Sequence, residues 1–265
     1  MKLLLGSAAI AGLAVVVPAM AADMAVKAPV PVYAPSWTGC YVGGNVGGGW
    51  GQNTGTRGII NAGNATLNAG VSVPVTLNTG SSGVVGGGQI GCNYQAGSIV
   101  LGAETDIQGS GIQGSSTVFI PSPDGGITDP STSHGNERIS WFGTTRARLG
   151  FTLGDKLLLY GTGGLAYGGV KDSASFVLTP SGDGNYAGAT SETKSGWTAG
   201  AGGEYAFNGN WSLRAEYLYV DLGSTAVRMF DPNRPGTFID YSFQHRDNIV
   251  RVGLNYRFGR PFGAK

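Results

Sequence analysis

Charge is what this sequence has least of. Asp, Glu, Lys and Arg make up 12% of 265 residues, about half the usual share, and the formal net charge is +1. That balance gives no reason to expect a nucleic-acid partner or any strongly charged one. Cysteine is nearly absent: Cys40 and Cys92 are the only two, so this is no disulfide scaffold. No Cys or His pair has metal-ligand spacing, and nothing calls for a cofactor. Amphipathic helical pattern is missing after the first two dozen residues. So is any later run of ~18 apolar residues, which excludes a transmembrane helix.

Glycine is abundant, at 48 residues. Without a collagen period it suits turns, tight barrel interiors and loops. The start, "MKLLLGSAAIAGLAVVVPAMAAD", reads as a secretory signal. Lys2 gives the positive region, residues 3–17 the apolar core, and Ala19-Met20-Ala21 the small-residue site, with cleavage expected between Ala21 and Ala22. Domain organisation follows: signal 1–21, Pro-rich periplasmic linker 22–36, barrel 37–258 and C-terminal extension 259–265. A protein that leaves the cytoplasm without a spanning helix enters a membrane as strands or not at all.

Strand pattern is plentiful. In "DNIVRVGLNYRF", residues 247–258, Val250, Val252, Leu254, Tyr256 and Phe258 share one face, and Arg251, Gly253, Asn255 and Arg257 the other. Eight such strands are expected, over 37–50, 83–95, 99–109, 137–151, 156–170, 195–207, 211–221 and 246–258. Their connectors alternate between short ("QAGS", "TLGDK", "NGN") and long ("PSPDGGITDPSTSHGN", "TPSGDGNYAGATSETK", "FDPNRPGTFIDYS"). That rhythm predicts an all-β, antiparallel, up-and-down transmembrane barrel with short periplasmic turns and four long external loops.

The aromatics sort by level. With the first strand running outward, Trp50, Trp141, Tyr167, Trp197 and Tyr219 fall near the external end. Tyr94, Phe151, Tyr205, Phe207, Trp211, Tyr256 and Phe258 fall near the periplasmic end. Two girdles of this kind mark headgroup levels. Trp141 and Phe151 stand ten residues apart, which at ~3.3 Å per residue and ~45° tilt is roughly 23 Å, close to the usual apolar band. Ile139 is expected on the same lipid-facing side. The opposite faces carry Glu104, Asp106, Arg146, Arg148, Glu204, Arg214, Glu216, Arg251 and Arg257. An Arg on lipid at mid-bilayer costs ~2–4 kcal/mol, so these face the lumen. Eight strands leave room for side chains alone, so a plug of ion pairs is expected instead of a channel.

The stretches "PVYAPSWTGCYVGGNVGGGWG", "GVVGGGQIGCNYQ", "WFGTTRARLGF", "LLLYGTGGLAYGGV", "EYLYVDLG" and "NIVRVGLNYRF" resemble the outer membrane immunogenic proteins of alpha-proteobacteria such as rhizobia and brucellae. These are porin-like, OmpA-like small barrels. The resemblance touches seven strands. It implies an eight-stranded barrel in the outer membrane of a Gram-negative bacterium, antigenic surface loops and no enzymatic activity. It also implies that Phe258 serves the barrel-insertion machinery, although here "GRPFGAK" follows it. Cys40 and Cys92 occupy places where that family usually has bulkier aromatics.

Smaller motifs carry less. Residues 86–91 match a dinucleotide glycine fingerprint, but strand pattern runs through them and no helix follows. Cys40 and Cys92 face outward on neighbouring strands, in a register that permits a disulfide or leaves two small side chains against lipid. His134 and His245 lie in or beside external loops, with no Ser or Asp at a catalytic spacing. Arg57, Arg228, Arg234 and Arg246 offer basic contacts to lipopolysaccharide phosphates, or simply solvated loop charge. The expected function is a structural surface antigen of the envelope, in contact with membrane lipid and lipopolysaccharide. A small porin and a loop-borne adhesin or ligand-binding protein for a host surface stand as alternatives.

Overall fold

The computed structural model describes residues 36–61, 76–121, 130–178, 184–208 and 210–258. The signal, nearly all of the linker and the C-terminal extension lie outside them. Among the described residues there are nine strand segments: β1 Gly39–Asn61, β2 Thr76–Ala96, β3 Ile99–Ser110, β4 Gln113–Ile120, β5 Ser131–Leu153, β6 Leu157–Leu178, β7 Asn185–Asn208, β8 Trp211–Phe230 and β9 Phe238–Arg257. Each pairs antiparallel with its neighbours, and β1 pairs with both β2 and β9, so the sheet closes on itself. Segments β3 and β4 are one wall interrupted at Gly111 and Ile112, since both lie between β2 and β5. The barrel is therefore eight-stranded in the sense of its walls.

Short turns join β2 to β3, β5 to β6 and β7 to β8. Gly97 and Gly154 take left-handed φ of 61° and 62° in the first two of these, a conformation that only glycine adopts without strain. At the other end the strands run much further than the sequence pattern predicts. The stretches read as long loops are mostly ladder: β5 begins at Ser131 and β6 ends at Leu178. Alternation explains the extension, because inward Phe176, Leu178, Val227, Met229, Ile239, Tyr241 and Phe243 bury together with Leu77, Ile120 and Tyr186. Turn-forming residues on the outward face hide that rhythm in the sequence. From Trp141 to Ser131 is ten residues, or roughly 23 Å at ~3.3 Å per residue and ~45° tilt.

One strand corrects a sequence expectation. Ile139 is 5% exposed, not on the outer face. The β5–β6 register slips between Ile139 and Trp141. This one-residue bulge at Ser140 swaps the parity of everything beyond it. Trp37, expected to open the first strand, precedes β1 and is buried with Val100, Leu158, Tyr160 and Ala206 at the short-turn end.

Cys40 and Cys92 are directly opposite in the β1–β2 ladder and are bonded to each other. Closing a loop of 52 residues stabilises a fold by about 2–4 kcal/mol. Protein denatured without reductant is expected to take up no maleimide. Full labelling under those conditions would contradict the bond.

Candidate functional site: the lumen and its two rims

The interior is layered, and β9 shows the order in one strand. Its inward residues run Ile239, Tyr241, Phe243, then His245 and Asp247, then Ile249, then Arg251, Asn255 and Arg257, all buried. Apolar, polar, apolar and ionic layers follow one another from the long-ribbon end to the short-turn end.

The ionic layer gathers eight of the nine lumen charges expected from the sequence. Arg146 contacts Glu104 at 2.6 Å, Asp106 at 3.0 Å and Glu216 at 3.1 Å. Arg251 contacts Glu216 at 2.7 Å and Asp106 at 2.9 Å. Arg214 pairs with Glu104 and lies 4.0 Å from Glu216. Arg148 pairs with Glu204 at 2.5 Å. Four guanidinium groups meet four carboxylates, so the layer is neutral although every member is at most 4% exposed. Neutrality and dense hydrogen bonding are what make buried charge tolerable. Arg257, the ninth, stands apart: it is buried at the short-turn end and donates to the Ser36 carbonyl.

Neutral side chains complete the layer, and of these only Asn255 is placed on the inner face by the sequence pattern. The Tyr41 hydroxyl donates to Glu104 at 2.5 Å and accepts from Arg148 at 3.1 Å. The Arg148 guanidinium also lies over the Tyr160 ring, 3.6 Å from its centroid, and Tyr160 donates to Glu216 at 3.0 Å. Ser212 and Asn255 both donate to the second oxygen of Glu204. Tyr41 and Tyr160 have the parity of the charged faces, a signal that could have found them.

Above this layer Val85, Ile112, Ile139, Phe142, Ala166, Val170, Leu218, Val220, Leu222 and Ile249 form one apolar cluster. Beyond it sits a second polar group. His245 is 3.0 Å from Asp172 and 3.1 Å from the Thr225 hydroxyl. Glu137 accepts from Asn53 at 2.8 Å, and Asp247 from Ser81 at 3.0 Å. His245 was expected to have no Asp at a useful spacing. The fold supplies one from 73 residues away. Both partners are sealed from solvent, with side-chain exposures of 1% and 0%. His134 instead lies near the surface, bonded to Thr117 and Asn136.

The girdle residues all point outward. Trp50, Trp197, Tyr94, Phe151, Tyr205, Phe207, Trp211 and Phe258 are exposed, and Trp141, Tyr167, Tyr219 and Tyr256 are half-buried. Ring contacts join Trp141 to Tyr167, Trp197 to Tyr219, and Trp211 to Tyr256 and on to Phe258. These pairs link residues of the same expected level, never of opposite levels.

Known proteins resemble most of this chain. The sequence pattern of the outer membrane protein beta-barrel domain family matches residues 7–258. The 31 kDa outer-membrane immunogenic protein of Brucella melitensis is 41% identical over 252 residues, covering 91% of this chain and 93% of that one. A 22 kDa outer membrane protein of Rhizobium leguminosarum is 34% identical over 174 residues, 65% of this chain and 66% of its own. Among solved structures, the outer membrane protein OprG of Pseudomonas aeruginosa is similar, with a TM-score of 0.49 and 13% identity over 85% of this chain and 99% of that one.

Proposed function

The chain belongs to the outer membrane protein β-barrel domain family, and on that premise we propose that it is a closed, non-enzymatic surface barrel of the envelope, acting through its external ribbons and not through its lumen. The observation that carries this reading is the ionic layer. Arg146, Glu104, Asp106, Glu216 and Arg251 reach across the interior in contacts of about 3 Å. The apolar cluster above and Trp37 below favour the same reading, because a chain of water molecules needs polar partners along its whole length. The His245–Asp172 contact is buried beyond reach of any substrate, which argues against hydrolytic chemistry there.

Planar-bilayer recording of refolded protein tests it. The wild type is expected to be silent. Glu104→Ala combined with Arg146→Ala, which opens the layer without leaving a net charge, is expected to give flickering conductance. Steady channels in the wild type would overturn the reading in favour of a small porin.

A further inference from the structure

Just beyond the outer girdle, on the outside of the wall, β5 and β6 hold two cations side by side. Arg138 is directly opposite Lys171 in the ladder, and both are exposed. Their chain neighbours Glu137 and Asp172 also oppose each other, but on the inner face. Like charges directly across a ladder repel. Inside, Asn53 and His245 relieve the carboxylates. Outside, neither Arg138 nor Lys171 has an ion pair or side-chain hydrogen bond among the described residues. Glu192 lies beside Ser191, the residue opposite Lys171, but is in contact with Lys194 at 3.8 Å.

The level of the pair identifies what meets it. Trp141 is three residues below Arg138 across the bulge, and Tyr167 is four below Lys171 on the same outward side. Their rings contact each other with centroids 6.3 Å apart. Such aromatics sit at the boundary of headgroup and hydrocarbon, so the cations stand among the headgroups. An open groove of about 660 Å³ lies here, lined by Arg138, Lys171, Gln113, Asn136, Ser173 and Glu137 among others, the Glu137 side chain being buried on the inner side, where it accepts from Asn53. Asn136 and Ser173 are opposite each other, one outward step above the cations, and bring further hydrogen-bond donors. A guanidinium fork matches two phosphate oxygens, and an ammonium adds a point charge.

We propose that Arg138 and Lys171 bind a phosphate of an outer-leaflet glycolipid headgroup, of the lipopolysaccharide class. The proposal rests on the orientation that puts the long ribbons outside. It does not depend on a closed lumen, since a conducting barrel would carry the same outer surface.

Native mass spectrometry of the refolded full chain, given phosphorylated lipid A or its dephosphorylated form, tests the site. The wild type is expected to retain the phosphorylated lipid roughly tenfold more strongly than the dephosphorylated one. R138Q/K171Q is expected to lose that preference while keeping the heat-dependent gel shift of a folded barrel. R228Q, which alters an exposed arginine already held by Asp240 at 2.8 Å, is expected to keep it. Equal binding of the two lipids by the wild type overturns the proposal without any variant. So does a preference retained in R138Q/K171Q, or an equal loss in R228Q. Displacement of the lipid by millimolar inorganic phosphate would assign the site to a free anion and overturn the lipid assignment.

Discussion

Glu104→Ala lowers the unfolding free energy by about 3–5 kcal/mol. Glu104 is 4% exposed and accepts from Arg146 at 2.6 Å, from Tyr41 at 2.5 Å and from Arg214. Without it the layer carries one excess positive charge. Arg214 keeps only Glu216, at 4.0 Å. The cost comes from stranding that guanidinium, not from losing the pair as such. Glu104→Ala with Arg214→Met is therefore expected to recover a large part of the loss, since apolar replacement of a whole buried pair is often neutral. Urea unfolding followed by tryptophan fluorescence in a lipid or detergent system where it is reversible gives the difference. A loss below about 1 kcal/mol would place the layer with solvent-screened pairs and contradict its burial.

Gly47→Val abolishes barrel closure. Gly47 faces inward opposite Arg251 in the β1–β9 ladder. A Cβ there would sit on the Val250 carbonyl, 2.7 Å from the Arg251 Cα and 2.8 Å from its Cβ. These are mostly backbone atoms, and they cannot withdraw unless the seam between the first and last strands opens. That seam has no chain connection to hold it. Overpacking where neighbours can shift costs 1–3 kcal/mol, and here they cannot. Gly44, three residues earlier, faces outward, and the nearest atom to a Cβ there is a carbonyl oxygen at 3.8 Å. Gly44→Val is expected to fold with the normal shift in gel mobility between boiled and unboiled samples, and Gly47→Val to show none. A folded band for Gly47→Val would mean that the seam tolerates a wider spacing than the ladder allows.

The contrast between these glycines shows what the sequence tells plainly. Period-two parity puts Arg251 inside and Val250 outside, and one strand read that way sets its partners through the ladder. The eight walls, the outward side of the aromatics and the inward side of the charges were legible on those grounds. Ile139 was not, because isoleucine suits lipid and core equally and no residue type announces the bulge at Ser140. The ribbons beyond the girdle were hidden for another reason. There the outward side faces water, so Ser, Thr and Gly fill it and read as loop, while only every second residue, such as Phe176 and Leu178, reports the ladder. His245 and Asp172 lie on different strands, and no local spacing could have joined them. Tyr41 and Tyr160 are readable by parity, but a tyrosine, unlike an arginine, suits lipid and lumen alike, so its residue type does not mark the inner face.

The length of those ribbons sets a height. Beyond Trp141 the wall continues for ten residues, roughly as tall again as the apolar band it crosses. A hydrogen-bonded tube with its own apolar filling at Leu77, Phe176, Tyr241 and Phe243 behaves as a mast and not as a set of tethers. On the orientation proposed above, the turn that joins β8 to β9 at residues 231–237 is thus carried some 20 Å beyond the outer girdle. On that orientation, a binder that reached these ribbons would meet strands held at ladder spacing from one another, so what it reads would be an arrangement of several ribbons at once.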